Sequence, residues 1–422
     1  MIKIILFLFL FTSCIHASNW LMIQGTQNNN AKEHNLWGFG QLRYINNAGD
    51  VYEQNGINKT PFSMNKPSLS EQESLIIARL RIGLRGKIDS ENKINYFILT
   101  EFAENGITNP AGYRQHSYLT DLSMTFRYFP LNIRVGQYKY PGSEEGLMAR
   151  FTSPFIQFTT LSDQLLLERF ISVKSVNSTT YEGTPTHSVG AYRDTGIELF
   201  QKINIDKENS ISYAYMLGLG SGLQMDNEND SHPTHYLYGA YENVFGGGKG
   251  YKSESLKFYL WYQKGKRKLL QKLYERTRYG LGLTYFDGIL RLESEYIKGN
   301  GMIFTGAKDT SKVAYQNEWQ FQIEADDDNK ADGYYLSGIY KIHPEIKLLA
   351  RYDQYNRITN IDSKKRVFKN TTIGLSYEFK DFNRIDFNYT FAKADAPHNT
   401  TAQSILENTD NIARVQLTMV YK

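Results

Sequence analysis

The sequence predicts an all-β fold: a closed, antiparallel, 16-stranded transmembrane β-barrel with long loops at one end and short turns at the other. Three observations predict it. Apolar residues recur with a period of two through most of the chain. The segments that carry this period are joined by connections that alternate long and short. Aromatics reach 14%, with 31 Tyr and 24 Phe, while mean hydropathy is only −0.49. A chain with a greasy outside rimmed by aromatic rings and a polar inside would have that composition.

The period comes first because it sets strands and faces. In residues 74–89, Ile76, Ala78, Leu80, Ile82 and Leu84 fall on one face, and Arg79, Arg81, Arg85 and Lys87 on the other. A strand sends alternate side chains to opposite sides, so one face is apolar and the other cationic. The last segment follows the same rule, with Val415, Leu417, Met419 and Tyr421 opposed to Arg414, Gln416 and Thr418. Sixteen segments behave this way: 36–46, 73–88, 92–104, 117–129, 131–138, 193–205, 208–219, 234–244, 254–264, 274–286, 289–299, 331–342, 345–356, 367–379, 382–393 and 411–422. Most reach the roughly 9–11 residues that a tilted transmembrane strand needs.

The connections justify closure. Those at 47–72, 105–116, 139–192, 220–233, 300–330, 357–366 and 394–410 are long. Those between them are short, except that 245–253 and 265–273 are equal. An antiparallel meander closed into a tube places every odd connection at one end, as outer-membrane barrels do with external loops and periplasmic turns. A bilayer offers the backbone no water, so each strand must be paired and the sheet must close on itself. Tyr96, Phe102, Tyr128, Tyr262, Tyr285 and Tyr377 sit in phase with the apolar faces, as rim aromatics would.

Composition removes other classes. With 48 Lys+Arg against 44 Asp+Glu, the chain lacks the basic excess of a nucleic-acid binder. The single cysteine, Cys14, excludes internal disulfides and CxxC metal sites. Residues 1–17 carry Lys3, an apolar run at 4–11 and a small residue at Ala17, the pattern of a secretory signal peptide. Leu10-Phe11-Thr12-Ser13-Cys14 also has the form of a lipobox, so lipidation of Cys14 stays open beside simple cleavage. The organisation is then a signal peptide at 1–17, a periplasmic N-terminal segment at 18–35 and a barrel at 36–422.

Residues 131–145 (LNIRVGQYKYPGSEE), followed by DQLLLERF at 163–170, resemble the phosphate-selective porin O and P family. Arg79-Leu-Arg-Ile-Gly-Leu-Arg-Gly86, Arg193-Asp-Thr-Gly196 and Ala350-Arg-Tyr-Asp353 add shorter echoes, in order along the chain. The resemblance implies a trimeric outer-membrane porin of Gram-negative cells, surrounded by membrane lipid and lipopolysaccharide, whose third long loop folds into the pore. Residues 139–192 are the longest connection and the third long one.

A porin works by diffusion, and selectivity comes from bore and from charges on the lumen. Arg79, Arg81 and Arg85 share a strand face at ~7 and ~13 Å spacings by strand rise. Arg127 and Arg134 fall on the polar faces of the fourth and fifth segments, near the base of the long loop. A guanidinium stays charged and holds oxyanions through a planar fork. These five are the candidate pore-lining residues for small hydrophilic, mildly anion-preferred solutes. Alternatively, acids such as Glu101 and Asp121 pair with them and neutralise the wall. In the constricting loop the candidates are Arg150, Arg169 and Lys174, with Glu144 and Glu145 among them. They do not align one by one with the lysines that phosphate specificity uses in that family. A channel specific for phosphate or an organic anion, and a non-conducting adhesive barrel, are the alternative readings. No HExxH or GxSxG motif points to an enzyme, and no motif points to a cofactor. His232 and His235, and Asp326-Asp-Asp-Asn-Lys330, fall in expected external loops as solvated polar runs.

Overall fold

A computed structural model describes residues 20, 32–47, 52–54, 57–59, 73–103, 105, 108, 117–177, 180–223, 232–248, 250–307, 321–407, 409 and 411–421. The expected signal peptide with Cys14 and nearly all of the N-terminal segment lie outside these residues.

Sixteen strands form one closed antiparallel barrel. They are β1 (Asn35–Asn47), β2 (Glu73–Lys87), β3 (Ile94–Glu101), β4 (Tyr118–Phe126), β5 (Asn132–Lys139), β6 (Arg193–Asn204), β7 (Asn209–Gly218) and β8 (Thr234–Gly247). Then follow β9 (Ser253–Leu269), β10 (Lys272–Phe286), β11 (Leu290–Asn300), β12 (Lys330–Lys341), β13 (Ile346–Arg357), β14 (Arg366–Lys380), β15 (Asn383–Asp395) and β16 (Ile412–Tyr421). Each pairs with its sequence neighbours, and β1 closes the ring on β16, with Gly38 opposite Tyr421 and Asn47 opposite Ile412. Each expected segment is one of these strands. No helix among the described residues is long and apolar enough to cross a membrane.

One strand shows where the bilayer sits. Along the outer face of β9 come Leu256, Phe258, Leu260 and Tyr262, then Lys264, Lys266 and Lys268. That is an apolar belt, an aromatic rim and a charged border, in the order of a membrane's layers. Leu256 to Tyr262 spans ~20 Å by strand rise, close to the height of an outer-membrane apolar band. The inner face of the same strand carries Ser255, Lys257, Tyr259, Trp261, Gln263 and Arg267, all buried.

Three short turns share a device. Asp89 accepts the N–H groups of Lys93 and Ile94 (3.0 and 2.9 Å), Asp206 those of Glu208 and Asn209 (2.8 and 2.7 Å), and Asp287 those of Ile289 and Leu290 (2.9 and 2.7 Å). A side-chain carboxylate that caps the turn satisfies backbone donors as the chain reverses. Hydrogen bonds, from backbone N–H groups at Asp89 and Asp287 and first from the Asn209 side chain at Asp206, hold the three carboxyls below the usual range.

The structure corrects the expectation in two places. Opposite β1, the register of β2 jumps from Arg79 to Ile77, leaving Ala78 as an extra residue in a bulge. The phase therefore flips: Ile77 is 55% exposed on the lipid face, and Ala78 is 2% exposed inside. Ile76 turns inward too, against Ile45 and Ile412. Leu80, Ile82 and the inward Arg79 and Arg81 keep their expected sides. Secondly, the fifth external connection is a tight turn at Leu270 and Gln271, with Leu270 at φ 55°. β9 and β10 run on past the membrane instead of ending in a loop. Their tip supports a small external sheet built from Ile303–Ala307, Phe321–Glu324, Thr180–Val189 and Arg169–Asn177, in that order. Tyr181 of this sheet bonds Tyr274 of β10, and both pack with Leu269, Phe304 and Ile323. The third and sixth external connections thus join above the barrel.

Leu260 tests the assignment of the outer face. It is 64% exposed at mid-strand among other apolar side chains. Leu260→Arg is expected to destabilise the barrel by about 2–4 kcal/mol in vesicles, the cost of a cation near the bilayer midplane. Reversible urea unfolding in lipid measures it; an unchanged midpoint would place Leu260 away from lipid.

Candidate functional site: the barrel lumen and its inserted loop

The long connection 140–192 turns into the barrel. Two short helices punctuate it, α1 (Glu144–Leu147) and α2 (Thr160–Leu165). Thr159 caps α2 by accepting from Ser162 N at 3.2 Å. Glu145 fastens this cap to α1, receiving Thr159 N at 2.9 Å and Thr159 Oγ1 at 2.6 Å.

An irregular backbone held inside a barrel must find partners for its polar groups. The wall supplies them. Arg43 Nη2 donates to Ile156 O (3.0 Å), Arg351 Nη1 to Gln157 O (3.0 Å) and Arg278 Nε to Leu165 O (3.0 Å). Arg384 reaches the carbonyls of Phe151 and Ser153. Asn388 Oδ1 accepts from Ile156 N (2.9 Å), and Asp353 Oδ2 from Thr160 N (3.1 Å). At the other end of the loop Lys257 pairs with Glu144. Glu295 gathers Ser143 Oγ (2.8 Å), Trp261 Nε1 (2.7 Å) and Tyr335 OH (3.1 Å).

The loop also has a greasy side. Leu147, Met148, Phe158, Leu161 and Leu165 pack in one cluster with Tyr138, Tyr236, Trp261 and Tyr355 of the wall. This corrects the expectation of a uniformly polar lumen with aromatics only at the rims. Apolar loop residues have no access to lipid, so they must be buried against the barrel's inner face, and tyrosines there offer both ring and hydroxyl. Trp261 lies flat over Gly280, directly opposite on β10; a Cβ at Gly280 would come within 2.8 Å of the indole.

The remaining wall is cationic. Arg43 of β1, Arg79 of β2, Arg414 of β16 and Arg150 of the loop are each 5% exposed or less. Arg79 lies within the electrostatic reach of Arg150, Arg43 and Arg81, and of the carboxylate of Glu101. The four find neutral acceptors only: Gln416 and Ile156 O for Arg43, Gln41 for Arg79, Phe155 O for Arg150 and Thr390 for Arg414. Among the described residues none of them is ion-paired, and Nε of Arg79, Arg150 and Arg414 has no hydrogen-bond acceptor. Across the barrel, Glu293 and Glu295 of β11 stand at the other side of the loop.

Of the residues expected to line the pore, Arg79, Arg81 and Arg134 are inside. Arg81 pairs with Glu101 at 2.7 Å and Arg134 with Glu198 at 2.7 Å, so the neutralising alternative describes these two. Asp121 pairs with Arg193 instead (2.9 Å). Arg85 is only partly buried, near the short-turn end of β2 and 5.5 Å from the Trp37 ring centre. Arg127 is not on the wall: it follows β4 in a short turn, where its N–H bonds Lys93 O at 2.8 Å. Arg134 also stands at the short-turn end of β5, far from the loop's base, because β5 runs from turn to loop. In the loop, Arg150, Glu144 and Glu145 are buried in the lumen, whereas Arg169 and Lys174 lie on a strand of the external sheet. His235 sits on the outer face of β8 beside Tyr215 OH (2.8 Å), and Asp327 caps Glu275 N at 2.6 Å. Asp226, Glu228 and Asp230, the acids nearest His232 and His235 in sequence, and Lys249, which ends the glycine run at 246–249, lie outside the described residues. Sequence reasoning missed Arg43, although it is in the inward phase of β1.

No family model matches the sequence, and no curated protein does. Among solved structures the chain is similar to the outer membrane channel DcaP of Acinetobacter baumannii, at 12% identity and TM-score 0.51 over 94% of this chain and 100% of that one. It is similar to the anion-selective porin from Comamonas acidovorans, at 14% identity and TM-score 0.52 over 92% and 99%. It is also similar to Salmonella typhi OmpF in complex with daunomycin, at 13% identity and TM-score 0.53 over 94% and 99%. At these identities the shared property is the porin barrel fold.

Glu295 is the loop's most connected acceptor on β11. Glu295→Ala leaves three buried donors without it, at about 1–3 kcal/mol each. The loop should then move, and single-channel records should show larger and noisier conductance. Traces identical to the unsubstituted protein would remove Glu295 from the tether.

Proposed function

We propose that this protein is a passive channel of a Gram-negative outer membrane, admitting small hydrophilic solutes with a mild preference for anions. One observation carries the preference: Arg43, Arg79, Arg150 and Arg414 are buried together along the lumen face beside the loop, and among the described residues none of them is in ion-pair contact with a carboxylate, although Glu101, Glu145 and Asp353 lie farther off. At roughly 8 Å and an effective dielectric of 20, one guanidinium lowers the energy of a monovalent anion by ~2 kcal/mol. Spaced donors of this kind draw an anion in without trapping it. The likeness in fold to an anion-selective porin supports the reading. Diffusion needs no catalytic group, and the buried acids Glu144, Glu145, Glu295 and Asp353 help to anchor the loop.

The narrower reading, a channel specific for phosphate or an organic anion, draws on the motifs at 131–145 and 163–170 and on the loop's apolar packing, which narrows the bore. Export by a signal peptide at 1–17 and assembly as a homotrimer amid lipopolysaccharide complete the proposal. The mass of the mature N-terminus and light scattering in detergent test these two points.

In a potassium chloride gradient across a planar bilayer, the reversal potential should have the sign of anion selectivity. The triple variant Arg43→Gln, Arg79→Gln and Arg414→Gln should move it toward zero or past it, since removing several kcal/mol of attraction changes permeability ratios by an order of magnitude or more. A cation-selective value for the unsubstituted protein defeats the proposal; an unmoved value for the variant removes the cluster from it.

A further inference from the structure

Beneath the inserted loop, toward the short turns, a cavity of about 130 Å³ remains open. Its lining divides by chemistry. One side is apolar: Trp37 and Phe39 of β1, Phe97 and Leu99 of β3 and Val420 of β16, with Phe151 of the loop as a roof. The rings stand at mutual angles, with centres 6.0 Å apart for Trp37 and Phe97, 6.2 Å for Trp37 and Phe151 and 5.4 Å for Phe39 and Phe151. The other side is cationic: Arg81, Arg85, Lys139, Arg150 and Arg193 face a single lining carboxylate, Asp121. That carboxylate is already held by Arg193, and Arg81 is held by Glu101 behind the lining. Arg81 and Arg85 lie over the aromatic side, 5.7 Å from the Phe39 ring centre and 5.5 Å from Trp37. Nε of Arg150 is buried without an acceptor.

These two halves choose the ligand. An inorganic anion would satisfy the guanidiniums and leave the rings wet. A hydrocarbon would cover the rings and leave Arg85 and Arg150, which make no ion pair among the described residues, without a counter-charge. A molecule with one flat apolar ring and one anionic end matches both. Size limits it further, because a cavity of ~150 Å³ takes a benzene ring. One ring fits; a long acyl chain does not.

We propose that this cavity binds single-ring aromatic carboxylates, with the ring against Trp37, Phe97 and Phe151 and the carboxylate toward Arg85 and Arg150. The site lies on the periplasmic side of the loop, so an acid that has passed the loop is held before release. The proposal deepens the anion-channel reading and rests on it for the route in, but not for binding.

Calorimetric titration of benzoate, acetate and phosphate into the purified full-length protein tests it, with chloride current recorded in parallel. Benzoate should bind at least about tenfold more tightly than acetate or phosphate, the difference that burying a ring produces. Phe97→Ala should remove about tenfold of that affinity, and Arg85→Gln should weaken it as well. Phe151→Ala, placed on the loop instead of the wall, serves the same purpose if the β3 variant does not fold. Benzoate binding no tighter than acetate, or phosphate binding tightest, overturns the site. Benzoate binding without any chloride current overturns the channel and keeps the site. Chloride current without benzoate binding does the reverse.

Discussion

Peptide groups inside a bilayer have no water to bond, and this one constraint organises the molecule. It forces every strand to be paired on both sides, so β1 must meet β16 and the sheet must become a ring. Closure then divides each strand's two faces into two solvents. Outward positions such as Leu256, Phe258 and Leu260 meet lipid, and inward ones such as Lys257 and Gln263 meet the lumen. The alternation of burial along β7, from Ser210 to Gly218, is the same division on a strand that is otherwise unremarkable in sequence.

The constraint recurs inside. Once a long loop enters the barrel, its own carbonyls need donors, and arginine is the side chain with most to offer. Arg43, Arg351, Arg278 and Arg384 each direct a donor at a loop carbonyl. A carbonyl satisfies a hydrogen bond without cancelling a charge. Among these four, Arg43 and Arg278 therefore keep the field that an anion would feel, so the means of folding the loop and the means of selecting a solute are partly the same atoms; Arg384 is neutralised by Asp386 at 2.8 Å, and Arg351 stands 3.6 Å from Glu145. Where a carboxylate does meet the cation, as at Arg81 with Glu101 or Arg134 with Glu198, the wall is neutral and rigid instead.

Apolar burial inside the lumen sets the geometry on the other side. The loop's Leu147, Phe158 and Leu161 find Tyr236, Trp261 and Tyr355 waiting on the wall, and glycine at 280 makes room for the indole. The loop's apolar side therefore meets a largely aromatic stretch of wall from β8 to β14, while Arg43, Arg79 and Arg414 gather on β1, β2 and β16.

The sixteen strands, their order and the two ends of the barrel were legible in the sequence, because period two and loop length are local properties of the chain. Four features were not. The bulge at Ala78 is set by the register against β1, and a shift of one residue sends Ile77 out and Ile76 in without altering the composition of either strand. The tight turn at Leu270 and Gln271 belongs to an overlong hairpin whose tip is stabilised by residues from two distant loops. Inward tyrosines look like rim tyrosines until the loop that covers them is in place. Arg43 and Arg414 stand near the two ends of the chain, and only closure of β1 on β16 makes them neighbours. Local chemistry determined which residues face which solvent; the joining of distant segments decided which charges share a space, since that depends on separations the chain's order does not encode.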